Sequence, residues 1–390
     1  MPLSSSVMKP LIYLSLTDDW ELRGNGAGDI EEIQFRPMRE LVRIYNRHGV
    51  RSTFNAEVMQ QLTFRKFERE FSELRPLADS WDAHVVDAYR QGHDIQLHLH
   101  PQWTKAEYAG GRWKLSGDWS ILNYDEETAF SLLSTGKEYL ENLLRPVNPD
   151  YRALSFRAGS SIIAPSPFIL STLARLGIRL DMSIVGGMYH DTRNVQIDYR
   201  QAEEDFLPFY PQMTDARRIS DKAESIICVP IHHFYGSRLA FAQTLASFAA
   251  RRTGSLVSPS KTNGQQSMEK YSEEEWGEKR HANRLLRIYE KGIKPGLRGW
   301  YLTADLSRLS YRLMREMLRS IRRRARASGL QKVPVIISNH TKDIKDFTII
   351  ERFVSELAES EDIRFLTQSE LVEKLEDGEF PVRKRERLTQ

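Results

Sequence analysis

The chain has 390 residues, 40% of them hydrophobic, enough to bury a large core as one big α/β domain or two smaller ones. Its 56 Lys and Arg against 53 Asp and Glu leave a net charge of +3, without the basic excess of a nucleic-acid binder. A single cysteine, Cys228, excludes an intrachain disulfide framework and a cysteine-rich zinc site.

The N-terminal stretch Met1 to Lys9 is short and polar and lacks the charged, apolar and small-residue order of a signal peptide. No apolar run reaches the roughly 18 residues of a spanning helix. The expectation is a soluble cytoplasmic protein with no transmembrane segment.

Short apolar runs lie at 11–17, 50–55, 95–99, 153–157, 178–182, 226–230, 335–338 and 363–367. Between them run stretches of helical period: in 35–48, Phe35, Met38, Leu41, Val42 and Tyr45 share one face, and 126–144, 167–176, 306–328 and 346–358 behave alike. Strands alternating with helices imply βα units and a parallel sheet covered on both faces. Seven or eight such units predict an α/β barrel, closed or nearly closed, with an open doubly wound sheet as the alternative. The pattern breaks across 237–330, read as a helical insertion whose 251–266 stretch (RTGSLVSPSKTNGQQ and its leading Arg) is a polar loop. That leaves 1–236 and 331–380 as the barrel and 381–390 as a charged tail, frayed from Arg383 on.

In a parallel barrel, catalytic groups collect where the strands end. Unusual polar residues stand at those places: Thr17-Asp18-Asp19-Trp20-Glu21, His98-Leu99-His100-Pro101-Gln102, Phe156-Arg157, Asp181-Met182-Ser183 and Ser338-Asn339-His340-Thr341-Lys342-Asp343. Adjacent carboxylates resist joint ionisation unless a cation intervenes, so a divalent metal would take one Asp and leave the other as a base. The alternative is that Asp18 and Asp19 cap a helix. His98 and His100, two apart on a strand, point the same way and suit two nitrogen ligands on one Zn²⁺ or similar ion, with a carboxylate as third ligand. His93, in the turn ahead of that strand, reads as a hydrogen-bonded core residue, and His232-His233 as a reserve. His340 titrates near neutrality and can donate a proton, tuned by Lys342 and Asp343. Arg157 needs an internal partner, for which Asp18 is the natural choice. Trp20 and Trp103, near the strand ends, are candidate sugar-stacking residues; Trp113 and Trp119 read equally as loop packing.

Together these residues resemble the polysaccharide deacetylase family, carbohydrate esterase family 4 of the NodB-homology type, in a divergent branch. Leu16-Thr17-Asp18-Asp19-Trp20-Glu21 is similar to its Asp-Asp motif, with Trp20 in place of the usual Gly. Gly49-Val50-Arg51-Ser52-Thr53-Phe54 resembles its second strand, and Gly92-His93-Asp94-Ile95-Gln96-Leu97-His98 its lead-in to the metal histidines. Phe156-Arg157, Asp181 and His340 match the third, fourth and fifth motifs. The likeness covers roughly 11–235 and 333–375. It implies a distorted (β/α)₇ barrel, Asp18 as general base, Asp19 and His98 as metal ligands, Arg157 as partner of the base, His340 as general acid and Asp181 as its tuner.

One departure stands out. The family's second metal histidine lies four positions after the first, where this chain has Gln102; His100 is expected to take its place.

The activity expected is amide hydrolysis with a divalent metal, most simply zinc, on an N-acyl group of a sugar. For a cytoplasmic chain the substrate would be a nucleotide-linked or lipid-linked sugar precursor or a small amide. The Arg-rich segment 315–326 (REMLRSIRRRAR) offers a phosphate or an anionic membrane surface a contact, though such runs are more often solvated helix faces. Two other readings stay open: a hydrolase of a non-sugar C–N bond, of deformylase or cyclic amidase type, and a non-catalytic carbohydrate-binding relative with a degenerate metal site.

Overall fold

The structure is a computed structural model that describes residues 9–238 and 299–386. Seven parallel strands form the main sheet: β1 (Leu11–Trp20), β2 (Thr53–Glu57), β3 (Asp94–Leu99), β4 (Ser155–Ala158), β5 (Leu180–Asp181), β6 (Ile227–Cys228) and β7 (Lys332–His340). Their hydrogen-bonded order is β6-β5-β4-β3-β2-β1-β7. The ring closes just beyond β6, where Ile231 forms a parallel bridge with Ile336 of β7 and the His232 amide donates to the Ile336 carbonyl at 2.9 Å. Closure through one bridge, beside two-residue strands at β5 and β6, makes this a distorted (β/α)₇ barrel. An eighth parallel strand, Ile363–Phe365, pairs with Ile12–Leu14 of β1, below the stretch where β1 meets β2.

Alternation along β1 separates two cores. Ile12, Leu14, Leu16 and Trp20 are buried in a shell shared with the helices α1 (Arg36–Arg47), α2 (Val58–Phe67), α3 (Leu74–Arg90), α4 (Glu126–Leu144) and α5 (Ile169–Arg175). A second cluster joins Leu180, Met182, Ile231 and Ile336 with Leu371, Val372 and Leu375. The last three belong to α8 (Gln368–Glu376), which follows α6 (Tyr311–Ala327) and α7 (Phe347–Ala358). The start of α8 bonds to the first residues of three strands: Gln368 N to Thr53 Oγ1 at 2.9 Å, Ser369 N to Asp94 Oδ2 at 3.0 Å, and Ser155 Oγ to Gln368 Oε1. A helix N-terminus carries unsatisfied amides, and these strand-end oxygens satisfy them. The N-terminal mouth of the barrel is thereby stoppered.

Local sequence explains the helix limits. Pro37 occupies the first turn of α1, where its missing N–H costs nothing. Asp125, Ser310 and Thr367 accept backbone N–H bonds at the starts of α4, α6 and α8, and Glu370 completes a capping box at the last. Five helices expected from periodicity all form, each within a few residues of its expected ends.

Of the expected insertion 237–330, only residues 237–238 and 299–330 lie within the described residues; the polar 251–266 stretch lies outside them. There the chain makes a strand, Trp300–Thr303, antiparallel to His233–Gly236, then α6, which leads into β7. The tail from Arg383, expected to be frayed, is held as far as Arg385. Backbone bonds join Arg383 N to Pro208 O and Tyr210 N to Arg383 O, and Glu204 and Glu203 pair with Arg383 and Arg385. The two glutamates supply the counter-charges that a solvated tail would lack.

Most arginines of α6 also have acidic partners: Arg312 with Glu316, Arg315 with Glu356, Arg322 with Asp362 and Arg324 with Asp205.

Candidate metal centre and catalytic groups

The adjacent aspartates solve their mutual repulsion by pointing apart. Asp18 turns outward between barrel and helices, where it accepts bonds from Tyr45 Oη at 3.1 Å and Asn339 Nδ2 at 2.7 Å. Asp19 turns inward. Its Oδ1 receives Arg157 Nη1 and Asn55 Nδ2, both at 2.9 Å, and its Oδ2 lies 3.5 Å from His340 Nε2. The expected Arg157–Asp18 pair is therefore an Arg157–Asp19 pair. The cause is parity: Arg157 also donates to Thr17 Oγ1 at 3.0 Å, and Thr17 and Asp19 share the inner side of β1, which Glu21 continues just past the strand's end.

The same parity brings in a residue the sequence reading named but did not assign. Glu21 Oε2 lies 2.6 Å from His100 Nε2 and 3.4 Å from His98 Nε2, and the two histidine nitrogens are 3.0 Å apart. Glu21, His98 and His100 are all buried and could hold a metal ion. His98 and His100 converge as their spacing predicts; the carboxylate that meets them is Glu21, two residues beyond Asp19. The step that put both imidazoles on one face would have found Glu21 from Asp19.

The donors suit a divalent cation. Two imidazoles and a carboxylate are a common set for catalytic zinc. His98 Nδ1 lies 2.9 Å from the Arg157 carbonyl, which can only accept, so the ring proton sits there and Nε2 keeps its lone pair. Glu21 Oε2 is buried with no conventional hydrogen bond. Its other oxygen pairs with Lys342 Nζ at 2.9 Å.

Charges tune the centre. Burial would raise the carboxyl pKa values of Asp19 and Glu21, but neighbours outweigh it. Arg157, His98 and His340 hold Asp19 below its ordinary value, and His100 and Lys342 hold Glu21 well below. Asp18, without a cation in contact, is pushed up to about 7 by burial, with the Tyr45 and Asn339 bonds offsetting part of the rise.

His340 ends β7 at the rim, its side chain 26% exposed. Its Nδ1 lies 2.8 Å from Asp305 Oδ2. Burial opposes its protonation, yet Asp305 and then Asp19 raise its pKa above the ordinary value. Asp305 follows the strand Trp300–Thr303, inside the segment read as an insertion, where no motif marked it. The expected tuner, Asp181, is engaged elsewhere: fully buried, it accepts from Ser183 Oγ at 2.7 Å and from the Cys228 thiol at 3.6 Å. Asp343 pairs with Arg308 at 2.8 Å; burial opposes its ionisation, yet Arg308, then Lys342 and His340, hold its pKa below the ordinary value.

Supporting residues fix these groups. Glu57 ends β2 and caps α2 by accepting from Met59 N and Gln60 N; it also accepts the His100 amide at 2.9 Å. Gly159 permits close packing behind His100: a Cβ there would meet the Leu99 carbonyl at 2.7 Å and the His100 ring at 3.0 Å. Ser160 and Ser161 follow with φ of 55° and 59°, the left-handed region that non-glycine residues rarely enter away from functional sites.

The two tryptophans expected to stack on sugar are core residues. Trp20 is fully buried against Phe35 and Trp81, with its Nε1 donating to the Gln34 carbonyl. Trp103, 3% exposed, packs edge-on against Phe64 and Trp113. Trp119 fills the space above Gly24. His93 is the core residue expected, bonded to Ser52 and Asn46. His232 and His233 lie apart from this cluster, stacked on each other with His233 against Tyr301.

Fold and site thus define a distorted (β/α)₇ barrel with a buried Glu-His-His cluster at the C-terminal ends of its strands. No protein-family model matches the sequence, and no curated protein matches it. Among solved structures, one similar chain is a protein from Mycobacterium smegmatis assigned as a polysaccharide deacetylase, at 12% identity over 100% of this chain and 98% of that one, TM-score 0.47. Another is the PuuE allantoinase, at 10% identity over 96% and 92%, TM-score 0.46. A third is the 4-alpha-glucanotransferase of Thermococcus litoralis, at 13% identity over 94% of this chain and 41% of that one, TM-score 0.48.

Among the described residues, no helix is long and apolar enough to cross a membrane.

Proposed function

We propose that this protein is a metal-dependent hydrolase of a C–N bond, acting as an N-deacetylase on a sugar or glycan precursor, nucleotide-linked or lipid-linked forms included. The observation that carries the reading is the convergence, at one barrel mouth, of a Glu21-His98-His100 cluster, an Asp19–Arg157 pair and a His340–Asp305 pair. Glu21, His98 and His100 would hold the ion, zinc or one like it, which supplies Lewis acidity and makes water acidic near neutral pH.

The chain's own groups supply the proton transfers. Asp19, kept ionised by Arg157, takes a proton from the attacking water. Arg157 holds Oδ1 in place, leaving Oδ2 toward His340. His340 carries its proton on Nε2 and gives it to the departing amine, while Asp305 anchors Nδ1–H and stabilises the charged ring. Asp19 as base and Glu21 as ligand replace the Asp18 and Asp19 assignments, since Asp18 faces away from these groups.

The test is stoichiometric metal in the purified protein, with release of acetate from N-acetylated oligosaccharides and nucleotide sugars assayed beside ring-opening of cyclic amides. Acetate release abolished by chelator and by Asp19→Asn supports the reading. Turnover of cyclic amides alone would move the activity to the non-sugar class. Sugar binding without metal would make the protein a non-catalytic relative.

A further inference from the structure

Gln102 is fully buried beside the metal cluster, and its two amide atoms are treated unequally. Its Nε2 lies 3.1 Å from His100 Nδ1 and 3.5 Å from the Gly24 carbonyl, while its Oε1 has no hydrogen-bond partner. A buried carbonyl without a partner costs on the order of 1–3 kcal/mol. This one lies on a residue in contact with His100, which gives the imbalance chemical meaning.

Proton positions around His100 follow from its neighbours. An amide NH₂ only donates, so His100 Nδ1 must accept, and the proton of a neutral ring lies on Nε2. There it fits: His100 Nε2 faces the Glu21 carboxylate at 2.6 Å and the His98 Nε2 lone pair at 3.0 Å. A proton between those atoms is required, because otherwise three lone pairs would face one another. The arrangement is closed and self-consistent, and it cannot ligate a metal through His100 Nε2.

We propose that the Gln102 amide is a two-position selector of the His100 tautomer. In the metal-free position its NH₂ donates to Nδ1, and the Nε2 proton is directed at His98 Nε2, beside the Glu21 carboxylate. Rotated by half a turn, it presents Oε1 to a proton on Nδ1 and frees the Nε2 lone pair for a divalent cation. The ring stays neutral: one N–H bond breaks at Nε2 and one forms at Nδ1, by exchange through water, with no net change in protons. The rotation gives Oε1 the partner it lacks and moves Nε2 off the Gly24 carbonyl. Gln102 is thus a positioning residue, acting through His100. The inference rests on the metal-site reading given above.

Two measurements test it. Long-range ¹H–¹⁵N spectra of histidine-labelled wild-type protein, assigned with His100→Ala, report the tautomer directly. The expected result is a proton on His100 Nε2 without metal and on Nδ1 after one equivalent of Zn²⁺; the same tautomer in both states overturns the inference. Zn²⁺ affinity is then measured by chelator competition. Gln102→Met removes the acceptor at similar volume and should weaken binding about 10- to 100-fold, as losses behind metal histidines do. Gln102→Glu, which keeps an acceptor, should bind at least as tightly as wild type. Equal affinity in wild type and Gln102→Met defeats the selector alone. No Zn²⁺ binding by wild type defeats the metal-site reading on which it rests.

Discussion

Asp19 and Arg157 meet across the inside of the barrel, Oδ1 2.9 Å from Nη1, although β1 and β4 are separated in the sheet by β2 and β3. The pair is possible only because the barrel curves, and it marks which of two neighbouring aspartates faces the C-terminal mouth. The contrast between Asp18 and Asp19 is directly measurable.

Asp19→Asn should lower kcat by at least about 10²-fold, the scale of a lost general base. Asp18→Asn should leave kcat within a few-fold of wild type. The reverse order would return the base to Asp18.

Asp18 should also leave a mark on stability. Burial pushes its folded pKa up to about 7, above the ordinary carboxylate range, so the folded state binds the proton more tightly. Its contribution is fully present below about pH 4 and is lost as pH rises toward 7, with a slope of at most about 1.4 kcal/mol per pH unit. In chemical unfolding between pH 4 and 8, Asp18→Asn should flatten this part of the profile. An unchanged slope would show that Asp18 does not titrate there.

The basic limb of the pH–rate profile should depend on Asp305. His340 must be protonated to act, so activity falls as pH rises through its pKa, which Asp305 raises. In Asp305→Asn the loss should begin at lower pH, with the basic limb of the kcat profile displaced downward. An unmoved limb would mean that another group is the acid.

Trp20→Ala should destabilise the fold by about 3–5 kcal/mol, as expected for a large buried aromatic. KM for a sugar substrate should change little in the surviving protein. A selective KM effect without loss of stability would return Trp20 to a binding role.

Gly159→Ala should disturb the centre and cost about 1–3 kcal/mol of stability, because the added methyl meets the Leu99 backbone carbonyl and the His100 ring. Zn²⁺ affinity should fall about tenfold or more. Wild-type affinity would show that His100 yields freely.

The barrel was legible because its signal is periodic. Apolar strands bounded by amphipathic helices repeat through the chain, and the polar residues at strand ends mark the C-terminal mouth. His98 and His100 were legible for the same reason, since strand parity alone puts them together. Asp18 was misplaced because a motif match assigns adjacent residues by order, whereas a strand assigns them by side. Glu21 carried the right parity but no motif. Asp305 could not be read at all: it reaches His340 through a hairpin formed by segments more than sixty positions apart, a long-range pairing that has no local sequence signature. Trp20 and Trp103 lie close to the site in sequence, but as large apolar groups they gain more by filling the helix shell than by facing solvent.

That hairpin sets part of the site from outside the barrel. Gly236 and Trp300 face each other on one rung of the ladder, so residues more than sixty positions apart register one another. A slip of one residue along that ladder would turn the side chains of Trp300–Thr303 to the other face and carry Asp305, which follows the strand, away from His340.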